Sequence, residues 1–403
     1  MKTKRYFFIG LSMILVGVFF TAGSQAGTLT WQIDSGGQQL TESGGQIKVA
    51  LDGYGKTACP GKPDLPSRRI LLAQPPGTRA ESVSLTNSTV NAMNLKLPVA
   101  PASPVLLLNN KTTAPEYHAL LNLQFDKNKA ESALSSTPYP ANVVRIVGTG
   151  TYRQVSYVCV EICPVQYIAA TAELLHHTQI EFTVNWTDVQ TPEFPALTGQ
   201  FLKTARKQFV NFDQMECLYT QPGHARFKGS RETFDYIILT TDNLVSTITE
   251  SSFIPWKNAL NFRTKIVTIT DPGITSLPGR DLVEQIRNYL RANYLAWDTR
   301  YLLIVGNHAN IPMRYCYPNP DDHSHMPHEP MTIGGDVPTD YLYADMSFAE
   351  ADSWDSDGDG FAGEYEQDMP DFMADIIVGR IPTSQASRVT YTLNKLTAFE
   401  QDT

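Results

Sequence analysis

Basic residues are in the minority. The chain has 32 Lys and Arg against 41 Asp and Glu, a formal net charge of −9 over 403 residues. That balance argues against the basic face a nucleic-acid partner requires. Cysteine is scarce as well: five residues cannot staple a chain of this length, so stability must come from a packed core. Four familiar signatures are missing: G-x-S-x-G, H-E-x-x-H, the P-loop and G-x-G-x-x-G. After the first twenty residues no apolar run approaches the eighteen or so needed for a membrane span, so no later segment is expected to cross one.

What is present begins at the N-terminus. Lys2, Lys4 and Arg5 precede the apolar run from Tyr6 to Phe20, and Ser24-Gln25-Ala26 follows with small residues where a signal peptidase reads them. This three-part layout predicts a signal peptide over residues 1–26, a mature chain starting near Gly27 and an extracellular protein. Export permits disulfides, yet Cys159 and Cys163 would lie about 13 Å apart on one face of a strand, and an odd total leaves at least one thiol free.

Residues 27–200 read as a β-rich, sandwich-like domain. Val144 to Val147, Val155 to Val158 and Gln179 to Val184 are short β-branched runs bounded by turn residues, with no amphipathic helix between them. Residues 201–232 collect Lys203, Arg206, Lys207, Arg226, Lys228 and Arg231, which suggests a basic linker with processing sites. From residue 233 the pattern changes. Asp235 to Thr240, Lys265 to Thr270, Tyr301 to Gly306 and Ala374 to Arg380 are unbroken apolar runs, as expected of strands covered on both faces. Between and after them, helical spacing runs through Leu282, Ile286, Leu290 and Tyr294, and through Val389, Leu393 and Leu396 behind Thr383-Ser384 as N-cap. An α/β domain with a mainly parallel sheet follows, its sheet left unfinished at Thr403 and its chemistry expected at the C-terminal strand ends.

Asp355 to Glu366 fits D-x-D-x-D-G with Glu at the twelfth position. Asp355, Asp357, Asp359 and Glu366 would offer carboxylates and Phe361 its carbonyl to a hard cation, and Gly360 permits the turn, so Ca2+ is the expected cofactor. With Pro370 close behind and no helix in front, the loop reads as an insertion between strands that serves structure. His323, His325 and His328 could bind zinc, but the segment reads as a solvated loop. His308 and Cys316 are separated by one short loop, with no second strand to carry the cysteine, which argues against a catalytic pair. Removing Lys2, Lys4 and Arg5 with the leader leaves 29 basic against 41 acidic residues, and residues 340–375 hold twelve acids and no base. The rest of the mature chain is neutral.

Several of these segments, taken in order, resemble the first half of the gingipain-type cysteine peptidase domain. They are Gly279-Arg280-Asp281, Ile286 to Leu290, Tyr301 to Gly306, Ile311-Pro312, Val337 to Tyr341, Trp354 to Gly360, Val378 to Pro382, Asn394-Lys395 and Phe399-Glu400. Leu65-Pro66, Pro75-Pro76-Gly77, Tyr152-Arg153 and Pro164 to Tyr167 are similar to the propeptide that precedes it. The resemblance implies a caspase-like sheet over 233–403, a Cys nucleophile paired with His, calcium for stability, polypeptide substrates and a pro-domain that packs on the peptidase domain until it is cut away. In that family the dyad lies on later strands, so no residue of this chain is assigned to it, and the family's acidic residue after the third strand is Asn307 here. Two readings stand at this stage: a secreted cysteine endopeptidase precursor ending before its dyad, and a non-catalytic, calcium-stabilised extracellular binding module on the same fold.

Overall fold

The computed structural model describes residues 16–19, 27–56, 59–104, 114–189, 196–197, 199–220, 232–316, 337–347, 354–364, 367–368 and 370–402. The chain divides into two compact units: residues 1–149, 157–190 and 206–212 form the first, and residues 150–156, 191–205 and 213–403 the second.

The first unit is built on antiparallel strands. In chain order these are β1 (Val16–Phe19), β2 (Gly27–Ile33), β3 (Gln38–Ser43), β4 (Gln46–Leu51), β5 (Gly55–Lys56), β6 (Pro66–Ala73) and β7 (Thr78–Asn94). Helix α1 (Ala114–Ala133) comes next, then β8 (Val144–Tyr152), β9 (Val155–Ile162), β10 (Val165–Ile168) and β11 (Glu173–Asp188). One sheet runs β1-β2-β11-β10 with β7 also on β11, a second runs β5-β6-β9-β8, and β3 and β4 form a hairpin. β1 lies within the expected leader and pairs with β2. Alternation in β11, broken where His176 and His177 are both buried, places Leu174, His176, Ile180, Phe182, Val184 and Trp186 inside. Helix α1 corrects the expectation of an uninterrupted β domain. Its last turns carry Asp126, Lys127, Lys129 and Glu131 among exposed positions such as Leu123, so no apolar stripe marked it in the sequence.

The segment expected to be a linker is also partly regular. Helices α2 (Gly199–Gln208) and α3 (Phe212–Thr220) occupy its first half, with Phe201, Ala205 and Met215 buried. Arg206 is exposed on α2, while Arg226 and Arg231 lie outside the described residues.

The core of the second unit is a parallel sheet. Its elements are β12 (Tyr236–Thr240), α4 (Val245–Thr249), α5 (Phe253–Ala259), β13 (Thr264–Thr268), α6 (Pro272–Thr275), α7 (Leu282–Trp297) and β14 (Tyr301–Val305). A small antiparallel pair follows, β15 (Arg314–Cys316) with β16 (Val337–Thr339), and then β17 (Ile377–Ile381) and α8 (Ala386–Gln401). The strand order is β13-β12-β14-β17, with every pairing parallel. Alternate residues of one strand feed opposite faces. Ile237, Leu239, Leu302 and Ile304 pack under Val283, Ile286, Leu290 and Tyr294 of α7. Ile238, Leu303 and Val305 pack under Leu244, Ile248, Phe253, Val389 and Leu393. This two-sided cover explains the unbroken apolar runs. Asp281 caps α7, accepting from the Glu284 N–H. The N-cap of α8 is Gln385, with no side-chain bond, so Thr383-Ser384 do not cap it as expected. Among the described residues no helix is long and apolar enough to cross a membrane.

Candidate functional site

The strand order reverses between β12 and β14, and in parallel α/β sheets the crevice beyond such a reversal is where ligands collect. Here the two strands are joined at that end by Thr240, whose hydroxyl donates to the Val305 carbonyl at 2.9 Å. Arg380 on β17 organises the neighbouring loop. Its Nε and Nη2 form a fork on the Asp340 carboxylate at 2.7 and 2.6 Å, and its Nη1 donates to the carbonyls of Gly306 and Ile311, both at 3.0 Å. One guanidinium thus fixes both ends of the loop that follows β14. Sequence inspection placed Arg380 only in a strand. Its role depends on register, because pairing sets it beside Ile304.

His308 sits exposed on this loop. Cys316 is half-buried against the core beside Trp354, and a Cβ on Gly363 would meet its Sγ at 3.2 Å. Burial pushes its thiol up to about 11, the opposite of what a thiolate nucleophile needs. No hydrogen bond joins the two. Burial likewise raises Cys159, and pushes Cys163 up to about 12, while all five cysteines are free thiols.

The acidic loop is anchored by Trp354, whose ring is buried and whose Nε1 donates to Asp345 Oδ2 at 2.6 Å. The Gly363 N–H donates to the Trp354 carbonyl at 2.8 Å and closes the loop's base. Within it the carboxylates order the backbone. Asp355 accepts from the Gly360 N–H at 3.2 Å, Asp357 from Asp359 at 3.3 Å and Asp359 from Phe361 at 2.9 Å. Gly360, at φ +93°, takes the left-handed turn that a side chain would strain. The result is convergence: one carboxylate oxygen from each of Asp355, Asp357 and Asp359 lies within 4.8 Å of the others. Asp355 is buried and the other two are exposed. Burial opposes its ionisation, yet the Arg280 guanidinium and the Gly360 N–H hold its carboxyl below the usual range. Phe361 is half-buried within the loop, and Glu366 lies outside the described residues.

Two acids not singled out in the sequence support this loop. Asp368, buried, accepts the N–H groups of Ser356 and Glu364, the latter at 3.0 Å, and burial raises its carboxyl. Glu364 is itself buried at 1% exposure. Glu364 is the tenth residue of the pattern and Asp368 lies two residues past its end, where composition alone does not separate supporting from ligating acids. A set of converging carboxylate oxygens on a tightly turned backbone fits a hard divalent cation such as calcium. His323, His325 and His328 lie outside the described residues.

The profile of Peptidase family C25 matches residues 230–403, and that of Propeptide_C25 matches residues 29–217. No curated protein matches. Among solved structures from Porphyromonas gingivalis, the complex of RgpB pro- and mature domains aligns at 16% identity over 49% of this chain and 96% of that one, with a TM-score of 0.34. A structure of the zymogenic latency of gingipain K aligns at 20% identity over 42% and 91%, with a TM-score of 0.31. Dimeric latent PorU aligns at 9% identity over 93% of this chain but 38% of its own, with a TM-score of 0.28.

Proposed function

The chain belongs to the gingipain-type C25 peptidase family, with a propeptide ahead of its peptidase region, and from that premise we propose that it is a secreted cysteine endopeptidase precursor. The observation that carries this reading is the tandem order of the two matches, 29–217 and then 230–403, with Arg226 and Lys228 in the interval between them. Peptide hydrolysis in such an enzyme proceeds by thiolate attack on the scissile carbonyl, with an imidazole taking the thiol proton and returning it to the leaving amine, after which water cleaves the acyl thioester and restores the thiol. The half-buried, protonated Cys316 and the exposed His308 do not suit that pair, so the dyad is proposed to lie outside these residues and this chain to be inactive by itself. The four parallel strands would then be the first part of a caspase-like sheet, and the β-rich first unit a sandwich-like pro-domain.

The acidic loop is proposed as a calcium site held by Asp355, Asp357, Asp359, the Phe361 carbonyl and Glu366. When bound, the ion would offset the charge of the three converging aspartates. The chain's own residues do the rest: Trp354 ties the loop to the core through Asp345, and Arg280 braces Asp355 against α7 through Glu284. Peptide mapping of secreted material tests the precursor reading. A mature N-terminus near Gly27 and a cut between 201 and 232 are expected; a cut well outside 201–232 would contradict it.

A further inference from the structure

Residues 150–156 fold with the second unit although they lie inside the propeptide match. They comprise the end of β8, the turn Arg153-Gln154 and the start of β9, and Arg153, at φ +54°, is 2% exposed, the least of any arginine among the described residues. Its guanidinium is received by the end of α7 and the chain entering β14. Nη1 donates to the Thr299 carbonyl at 2.8 Å and to the Asp375 carbonyl at 3.3 Å, and Nη2 donates to the Tyr294 carbonyl at 3.5 Å. Asp298 Oδ1 lies 3.7 Å from Nη2, and the Phe201 ring covers the group with its centroid at 3.6 Å. A cation against the last carbonyls of a helix also meets its negative end.

The backbone of the turn is held as firmly as the side chain. The Arg153 N–H donates to Asp375 Oδ1, and the Thr151 N–H donates to Asp371 Oδ2 at 3.0 Å. Tyr294 returns a bond from its hydroxyl to the Arg153 carbonyl at 3.4 Å. Gly150 approaches Asp371 so closely that a Cβ would overlap the carboxylate. Tyr294, Asp298, Thr299, Asp371 and Asp375 all lie in the peptidase match, where β14 and β17 begin. This is the end of the sheet away from the C-terminal strand ends.

We propose that the peptidase region carries an arginine-receiving cradle at the N-terminal ends of its strands, and that the propeptide turn headed by Arg153 is its ligand, retaining the propeptide after the connecting segment is cut. Three carbonyls and the Asp298 carboxylate disposed around one planar fork suit arginine and not lysine, whose single ammonium cannot span them. Emptying the cradle would leave the desolvated Asp375 and the Thr299 carbonyl without this donor. Cleavage of the connection would therefore not be enough for release; the turn must also be cut or displaced.

The inference rests on the precursor reading for its setting, but its test needs no turnover, so a failure of one is separable from a failure of the other. A recognition sequence for an added site-specific protease is placed within 221–231 of the full chain. Cleavage is driven to completion, and the dissociation constant of the two fragments is measured. Wild-type fragments should co-elute. Arg153→Ala and Gly150→Val should raise the dissociation constant at least about ten-fold, as expected for a central buried arginine anchor. Arg153→Lys keeps the charge and should lose nearly as much as alanine. Uncut variants are melted first, and if Arg153→Ala is unfolded the lysine variant decides. Wild-type fragments that separate on cleavage, or a folded Arg153→Lys that holds as tightly as wild type, would overturn the proposal.

Discussion

Replacing Asp357 with asparagine should separate a metal-binding acid from a merely structural one by the sign of its effect. Asparagine keeps the oxygen that accepts the Asp359 N–H and removes only the charge. Three carboxylates whose oxygens lie within 4.8 Å of one another repel when no cation is bound. In chelator, Asp357→Asn should therefore melt at or above the wild-type temperature. With calcium at about 100 times its dissociation constant, wild type should gain about 2.7 kcal/mol by mass action. For a cooperative unit of about 200 residues, at about 2–4 °C per kcal/mol, that is a rise of about 5–11 °C. The variant should keep less than half of this rise. Differential scanning calorimetry with calcium against chelator reads both numbers. Equal losses in the two conditions would mean that Asp357 supports the loop without binding an ion, and the proposed calcium site would be wrong.

Arg380→Ala should destabilise the second unit by about 2–4 kcal/mol, because it strips a partly buried carboxylate of its fork and two loop carbonyls of their donor. A calorimetric change under about 0.5 kcal/mol would show that the loop after β14 is held by other means. The two units should also respond to acid in opposite directions. Burial holds His176 and His177 of the first unit below the usual histidine range, so their contribution is complete above about pH 6.5 and is lost as pH falls through it. Burial, with Asp345 nearby, pushes Asp371 of the second unit up to about 7, and burial also raises Asp375, so their contribution is greatest at low pH and is lost as pH rises through about 7. Between pH 7.5 and 5.5 the first transition should move down and the second up; parallel movement would contradict these assignments.

Much of the second unit was legible in the sequence because its strands are covered on both faces. Ile237 and Ile238 are consecutive and both buried, each by a different helix layer, which is why an apolar run without alternation marks a central strand here. The carboxylates of the acidic loop were legible for a related reason: the pattern is local, and the turn at Gly360 brings alternate acids together without help from elsewhere. What depends on tertiary approach was not legible. The acidic stretch from 340 to 375 reads as a surface, yet Asp345, Asp355, Glu364, Asp368 and Asp375 are buried, three of them against arginines of distant segments: Asp345 with Arg287, Asp355 with Arg280 and Asp375 with the Arg153 N–H. Arg153 looks like an ordinary polar turn residue until the end of α7 is placed around it. Helix α1 was missed because its exposed, mixed-charge face carries no period that a window could find.

The central claim is that this chain is a gingipain-type precursor whose nucleophile is not among its five cysteines. It is tested most directly by assaying the 403-residue protein and its Cys316→Ala variant for thiol-dependent peptide hydrolysis, with reductant and calcium present. Both proteins should give the same rate as buffer alone. Thiol-dependent turnover by the wild type that disappears in Cys316→Ala would contradict the account.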